Sequence, residues 1–487
     1  MSEGVGAMAT LIQPGLDDDG AQGSAGLLDA LCELARFSSA LRFEDVSTAV
    51  KDATETVVLD SLAVLVAGGR LREQRRFAGA VLGSGDGGPV TLLGSGRRAS
   101  VAEAVLVSGT AMVALELDEG NKAARGHASA HVLPAVLSLA EARGVRGREL
   151  LSAFLAGHEV ATRFGAATQL ADGVHPHGNW GATGAAAGAA RLLGASPRAV
   201  AVAIDMASAS PLAGPFEAAL GGSPVRNAWV GLSNQAGLAA ALLAVTEPSA
   251  PLLGLAASSL GGTLGSFDAA ALTEGLGRRF GVQSGYFKRH ASCSYTHPAA
   301  DLALLARASR GEVGVRDVLS VVVETHRLTR PLDRQAWPTR LAAMFSVPYV
   351  VAVALLAGDL GPEHFGDDWR ADPDVAALAG RVEVREADDL DVRLGAERPC
   401  RLSVTWADGG RWSGEAPNPV WDADWQPAGR RDVVAKAARL LGSSGADALV
   451  AAVSALAADE PVAEVVRALA GLAELAEPAG EVEGAKS

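Results

Sequence analysis

The chain has 487 residues, 49% of them hydrophobic and only 5% aromatic, and carries a net charge of -14. That length can bury a large core and implies two or more domains. The acidic balance argues against a nucleic-acid or anionic-membrane partner held by a basic surface, but leaves room for a small anionic substrate in a locally cationic cleft. Cys32, Cys293 and Cys400 are too widely spread for a disulfide framework or a metal knuckle. With no recognisable signal peptide, the expected location is the reducing cytoplasm. The longest apolar runs, Val57–Gly69 and Leu238–Val245, fall short of a bilayer span.

Residues 1–24 are polar and rich in Gly and Asp, which predicts a disordered tail. From about Leu27 the apolar spacing predicts helices over 47–65, Ala102–Leu115, Ala135–Arg143, Arg148–Thr162, Gly184–Leu193 and Gly237–Val245, with stops and starts at Gly144-Val-Arg-Gly and Gly194-Ala-Ser-Pro. After about Phe280 the texture changes. Val318–Leu328, Val382–Val392 and Arg401–Trp412 alternate like strands, Asp408-Gly-Gly410 suits a hairpin turn, and Met344–Ala357 is a helix among them. From about Gly429 to Leu475 the pattern is helical again. The predicted fold is mainly α: a helical domain over 25–282, a smaller inserted α+β lid over 283–428, a return to the helical domain over 429–475, and a tail over 476–487.

Four segments carry the chemistry. Glu116-Leu-Asp-Glu119, then Arg125-Gly-His127-Ala-Ser-Ala-His131, set three carboxylates, a guanidinium and two imidazoles in an apolar background, where such groups are costly unless they pair or react. The plain alternative is a solvated helix end with a capping serine. His175-Pro-His177-Gly-Asn-Trp-Gly precedes a helix of small residues, whose free N–H groups would attract an anion; its glycines would equally serve close packing. Arg226 has no carboxylate within ten residues except Glu217, so it is either a surface arginine or a clamp for a substrate carboxylate. Tyr286-Phe-Lys288-Arg-His-Ala-Ser-Cys293-Ser-Tyr-Thr-His297 gathers cations, imidazoles and a thiol at the entry to the α+β part. Neither CxxC nor HExxH occurs and the histidine spacing is wrong for zinc, so no metal is expected.

In their order, these segments resemble the MmgE/PrpD family over roughly residues 28–470. Its activities include 2-methylcitrate dehydration, cis-aconitate decarboxylation and iminodisuccinate epimerisation. The resemblance implies a homodimer and a cofactor-independent site between a helical domain and an α+β lid. It places His127, His175 and His297 on catalytic positions, Glu116 and Asp118 in the family's acidic stretch, and Tyr349 on a tyrosine of the lid. Departures are clear: Glu116 and Gly120 replace an Asp and a hydroxyl residue of the decarboxylase and epimerase, Ala128 replaces a proline, and Arg226 stands where those two carry a lysine. The expected activity is a lyase dehydrating or decarboxylating a small polycarboxylate of the 2-methylcitrate or aconitate type. Arg226 and Lys288 would stabilise charge, and the histidines would move protons. An epimerase of a small dicarboxylate and a non-catalytic acid binder are the alternatives.

Overall fold

The computed structural model describes residues 18–85 and 87–474, with side chains from Gly26 to Ala473. The protein is mainly α. Its first helix, Asp18–Ala40, begins inside the segment read from sequence as a tail, so residues 18–24 continue a helix; residues 1–17 and the predicted tail 476–487 lie outside the described residues.

Helix ends follow local chemistry. Ser47 and Ser100 cap Thr48–Gly69 and Val101–Met112, the latter with Glu103 closing a capping box. Leu133–Arg143 stops at Gly144, whose φ of 66° is the left-handed stop that glycine allows, and Gly147–Ala167 follows. Ala182–Leu192 and Pro197–Ser208 flank the Gly194-Ala-Ser-Pro break, with Ser196 as cap. One prediction fell short: Gly237–Val245 is only the end of a helix running over Val225–Thr246. Together with Arg430–Ala457, which is kinked at Gly442, this helix is long and apolar enough to cross a membrane by length and composition. About half of each is buried in the protein, as in many core helices of globular proteins.

Small residues let these helices approach closely. A Cβ on Gly231 would lie 2.3 Å from the Leu106 carbonyl oxygen, and one on Gly109 would lie 2.7 Å from the Gly231 Cα. Val101–Met112 and Val225–Thr246 therefore cross backbone to backbone. Gly147–Ala167 and Ala182–Leu192 do the same at Gly157 and Gly184. The alanine-rich, aromatic-poor composition is what this packing requires.

The α+β part holds one four-stranded sheet. Val318–Thr325 runs through its middle, parallel to Val382–Glu386 (Val321 beside Val382) and antiparallel to Cys400–Trp406 (Val321 beside Val404), with Arg411–Ala416 outermost. Alternate residues of the central strands are buried, under the helices His297–Ala308 and Val347–Ala357. Four sequence-derived bounds change. The strand expected over Val318–Leu328 ends at Thr325. The strand from Val382 ends at Glu386, because Asp388–Asp391 forms a short helix whose acidic first turn suits its dipole. Arg401–Trp412 covers one arm of a hairpin, which turns at residues 407–410, and the start of the other, Arg411–Ala416. The helix placed over Met344–Ala357 is two, Arg340–Met344 and Val347–Ala357, with Ser346 capping the second and Pro348 in its first turn. Arg430–Ala457 then packs along Thr48–Gly69, returning the chain to the first helices.

Replacing Gly231 by Ala should cost about 1–3 kcal/mol by overpacking the crossing. Urea denaturation checks this, and unchanged stability would mean the two helices part without strain.

Candidate active site

Val101–Met112 ends just before the acidic stretch, and the backbone there is forced: Glu116 and Arg125 both have φ of 52°, a region unusual for residues with side chains. Between them, Gly120–Asn121 pairs with Gly285–Tyr286, which brings the segment carrying Lys288 onto the acidic turn. A Cβ at 120 would fall 2.4 Å from the Tyr286 ring, so any other residue there requires the ring to move. The ring fills the space that a hydroxyl-bearing side chain would need.

Glu116 is 1% exposed and lies between two cations: Arg226 forms a close ion pair with one carboxylate oxygen, and Lys288 Nζ is 3.0 Å from the other. Arg226, in the first turn of Val225–Thr246, therefore has a carboxylate partner that its neighbourhood in sequence does not show. It also packs its guanidinium 5.4 Å from the centre of the Phe345 ring. Lys288 reaches Asp118 at 3.8 Å. Burial works against its charge, but Glu116 and Asp118 outweigh that and raise it above the ordinary lysine value. Burial likewise opposes ionised Asp118, yet His127, Lys288 and Arg226 hold it well below the usual carboxylate range. Asp118 stays charged.

His127 Nδ1 is 2.9 Å from the Glu119 carbonyl oxygen and 3.0 Å from Asp118 Oδ2. Two acceptors on one side place a proton on Nδ1 and leave Nε2 as the open nitrogen. The Glu119 carboxylate turns the other way, accepting the Ser129 N–H at 3.3 Å and lying 3.5 Å from His158 Nε2. Ser129 thus serves the acidic stretch instead of capping the next helix, which has no side-chain cap.

Around His177 sit three further imidazoles, with ring centres at 4.6 Å (His175), 5.2 Å (His127) and 5.5 Å (His131). His131 is fully committed: Nδ1 donates to the His127 carbonyl and Nε2 accepts the Gly178 N–H. His175 Nδ1 accepts the His177 N–H at 3.0 Å, so its proton is on Nε2, which faces Arg226 Nε–H at 3.4 Å. His177 is 0% exposed and both of its ring nitrogens lack a hydrogen-bond partner. Burial first, then the Arg226 charge, pushes His175 and His177 well below the ordinary histidine value; burial takes His131 down to about 4.

Not every expected residue joins this cluster. His297 caps no part of it: its Nε2 meets the Ser292 carbonyl at 3.1 Å and its ring packs on His290, which pairs with Asp301 at 2.9 Å. Among the described residues, no hydrogen bond or ring contact links His297 to the other four imidazoles. Tyr349 donates its hydroxyl to the His364 carbonyl at 2.7 Å and packs against Trp337 and Phe365, away from the imidazoles. The start of Ala182–Leu192 is not an open anion site either, because the N–H groups of Ala182, Thr183 and Gly184 already bond to carbonyls three residues back. Gly181 is there for packing, since a Cβ would meet the His131 ring at 2.4 Å.

Other groups gain their partners only in the structure. Cys293 lies within electrostatic reach of Glu116 and Lys288; burial and Glu116 push it up to about 11, so at neutral pH it is a thiol. Beneath the acidic turn, Lys436 Nζ bonds Asp60 and the Leu117 carbonyl, each at 2.6 Å. Asp60 had left a signal, a lone carboxylate within the apolar run Val57–Val66. The three cysteines are unpaired.

The family model described as the MmgE/PrpD N-terminal domain matches residues 32–273, and that of the MmgE/PrpD C-terminal domain matches 290–459. A cis-aconitate decarboxylase from Aspergillus terreus is 24% identical over 419 residues, covering 80% of this chain and 84% of that protein. A cis-aconitate decarboxylase-like protein, oryM, from Aspergillus oryzae is 29% identical over 176 residues, covering 34% of this chain and 36% of its own length.

The neutral buried imidazoles make stability fall in acid. A histidine that stays neutral when folded but protonates near 6.5 when unfolded gives its full contribution above that pH, and loses it as pH drops towards the folded value. His131, His175, His177 and His297 are all shifted this way, each withdrawing up to about 1.4 kcal/mol per pH unit. Melting temperature should drop steeply from pH 6.5 to 5; a flat profile would mean these rings are charged in the folded chain.

Proposed function

Because the chain belongs to the MmgE/PrpD family, we propose that it is a lyase that dehydrates or decarboxylates a small polycarboxylate of the 2-methylcitrate or aconitate type. One observation carries this reading: Arg226 Nε and His175 Nε2 face each other at 3.4 Å, with Lys288 held nearby on Glu116. A substrate carboxylate oxygen beside them would accept from both donors at once. A guanidinium is suited to this, since it grips carboxylates and keeps its proton.

Bond breaking next to a carboxylate builds negative charge on that group, and fixed donors in a water-poor site stabilise it. Arg226, Lys288 and His175 supply the donors. His127, backed by the Asp118 carboxylate, is the proton carrier on the acid side: its imidazolium gives a proton to a leaving hydroxyl or to carbon, with Asp118 compensating its charge. His175 serves as a donor and not as a base, because its one lone pair is taken by the His177 backbone N–H. The α+β part supplies Lys288 and Cys293 to a site otherwise built on helices, which supports its acting as the lid.

Di- and tricarboxylic acids incubated with the enzyme in deuterated water and followed by NMR test the reaction. Alkene formation or CO₂ release is expected. Solvent label without net loss would instead identify an epimerase, and binding without either would identify a binder. His127→Gln should lower turnover by about 10²–10⁴-fold.

The protein is further proposed to pair with a second copy of itself. Along Val225–Thr246, Val225, Leu232, Leu242 and Leu243 are exposed (40–55%), and with Ala228 and Ala239 they form one stripe at helical spacing. Arg226, the helix's one charged residue, points inward, so the stripe carries no charge and suits an identical stripe on a partner. Light scattering after size exclusion should report a dimer, and L232K combined with L243K a monomer; a monomeric wild type would refute the pairing.

A further inference from the structure

The four clustered imidazoles differ in how their ring nitrogens are bonded, and one of them has no part in the functional reading. His131 has both nitrogens bonded to protein. His175 spends its lone pair on a backbone N–H. His127 holds its proton against Asp118 and Glu119. His177 alone among the four has both nitrogens without a partner while being wholly buried, at the centre of the other three rings. A buried polar group left unpaired costs about 1–3 kcal/mol, and such a group in a native fold calls for an explanation.

We propose that His177 is a further catalytic residue, the general base that takes the proton from the substrate carbon next to a carboxylate bound by Arg226 and His175. This rests on the lyase reading and deepens it. In the elimination, the C–H bond breaks and its proton goes to the open nitrogen of His177. The electron pair left on carbon forms the new C=C bond as the C–O bond breaks, and the departing hydroxide takes a proton from the His127 imidazolium and leaves as water. The two rings then hold one proton more and one fewer, and solvent exchange resets them. Burial and the nearby Arg226 charge keep His177 neutral, the form a base needs.

The same unpaired nitrogens could in principle hold a metal, since ligand atoms of Asp118, His127 and His177 lie within 4.8 Å of one another. The Lys288 ammonium, 3.8 Å from Asp118 Oδ1, already supplies the cation there, which favours the base.

The test uses the full chain, with citrate and cis-aconitate as reacting probes and propane-1,2,3-tricarboxylate as an unreactive one. His177→Gln should lose about 10²–10⁴-fold in turnover and in exchange of carbon-bound hydrogen with solvent, while calorimetry shows the unreactive acid bound within about threefold of wild type. Unchanged turnover in His177→Gln beside a large loss in His175→Gln would overturn the proposal. So would a stoichiometric metal that wild type carries and His177→Gln lacks. If wild type turns over no acid, the lyase reading fails by itself. The placement of His177 is then decided on wild type by the ring ¹⁵N resonance: a shift on adding the unreactive acid supports it, and an unmoved resonance refutes it.

Discussion

Glu116, held between Arg226 and Lys288, is the interaction on which the rest of the site depends. Each of these three ions would lose several kcal/mol, roughly, on leaving water alone. Burial is tolerable only when all three arrive together. They come from three elements: the turn after Val101–Met112, the first turn of Val225–Thr246, and the segment entering the α+β part. Satisfying one carboxylate therefore fixes the relative positions of three parts of the chain. The strained backbone at Glu116 is the local cost of aiming that carboxylate inward.

Once charges are gathered in a dry place, the imidazoles beside them must divide into kinds. Those facing Arg226, His175 and His177, are driven neutral by burial and by the cation together. His127 faces Asp118 instead, whose ionised form is secured by His127, Lys288 and Arg226. Rings about 5 Å apart thus occupy opposite electrostatic settings. An acid and a base need such a separation if both are to work at one pH. The fold achieves it through which charged neighbour each ring meets and by leaving His127 a little more exposed than His175 and His177.

Much of this was legible in the sequence because polar groups in apolar helices demand a reason. The acidic stretch, His127, His175, Arg226 and Lys288 stood out on that ground, and the structure brings all of them together. Helix limits at Gly144 and Gly194 were legible from turn chemistry. Partnerships across the chain were not: nothing near Arg226 announces Glu116, and Lys436 meets Asp60 across 376 positions. Nor does spacing reveal how a hydrogen bond is spent. Tyr349 lies in a motif that the family resemblance marks, yet its hydroxyl is taken by the His364 carbonyl. Nor does spacing show that both ring nitrogens of His177 lack a partner.

The tie at Lys436 explains why the chain has to come back. After the α+β part, Arg430–Ala457 lies along Thr48–Gly69 and delivers Lys436 to Asp60 and to the carbonyl of Leu117, between the two acids of the site. Burial still pushes Asp60 up to about 6 and Lys436 down, so this pair is less secure in its charges than Glu116 with its two cations. Its geometric effect is firmer. Lys288, at the start of the excursion, pulls on the side chain of Glu116, and Lys436, beyond its end, holds the next backbone carbonyl. A turn with φ of 52° at its first acid would relax if held from one side only. Held by both ends of the excursion, it keeps Asp118 facing His127, and the acid side of the site inherits its geometry from the return of the chain.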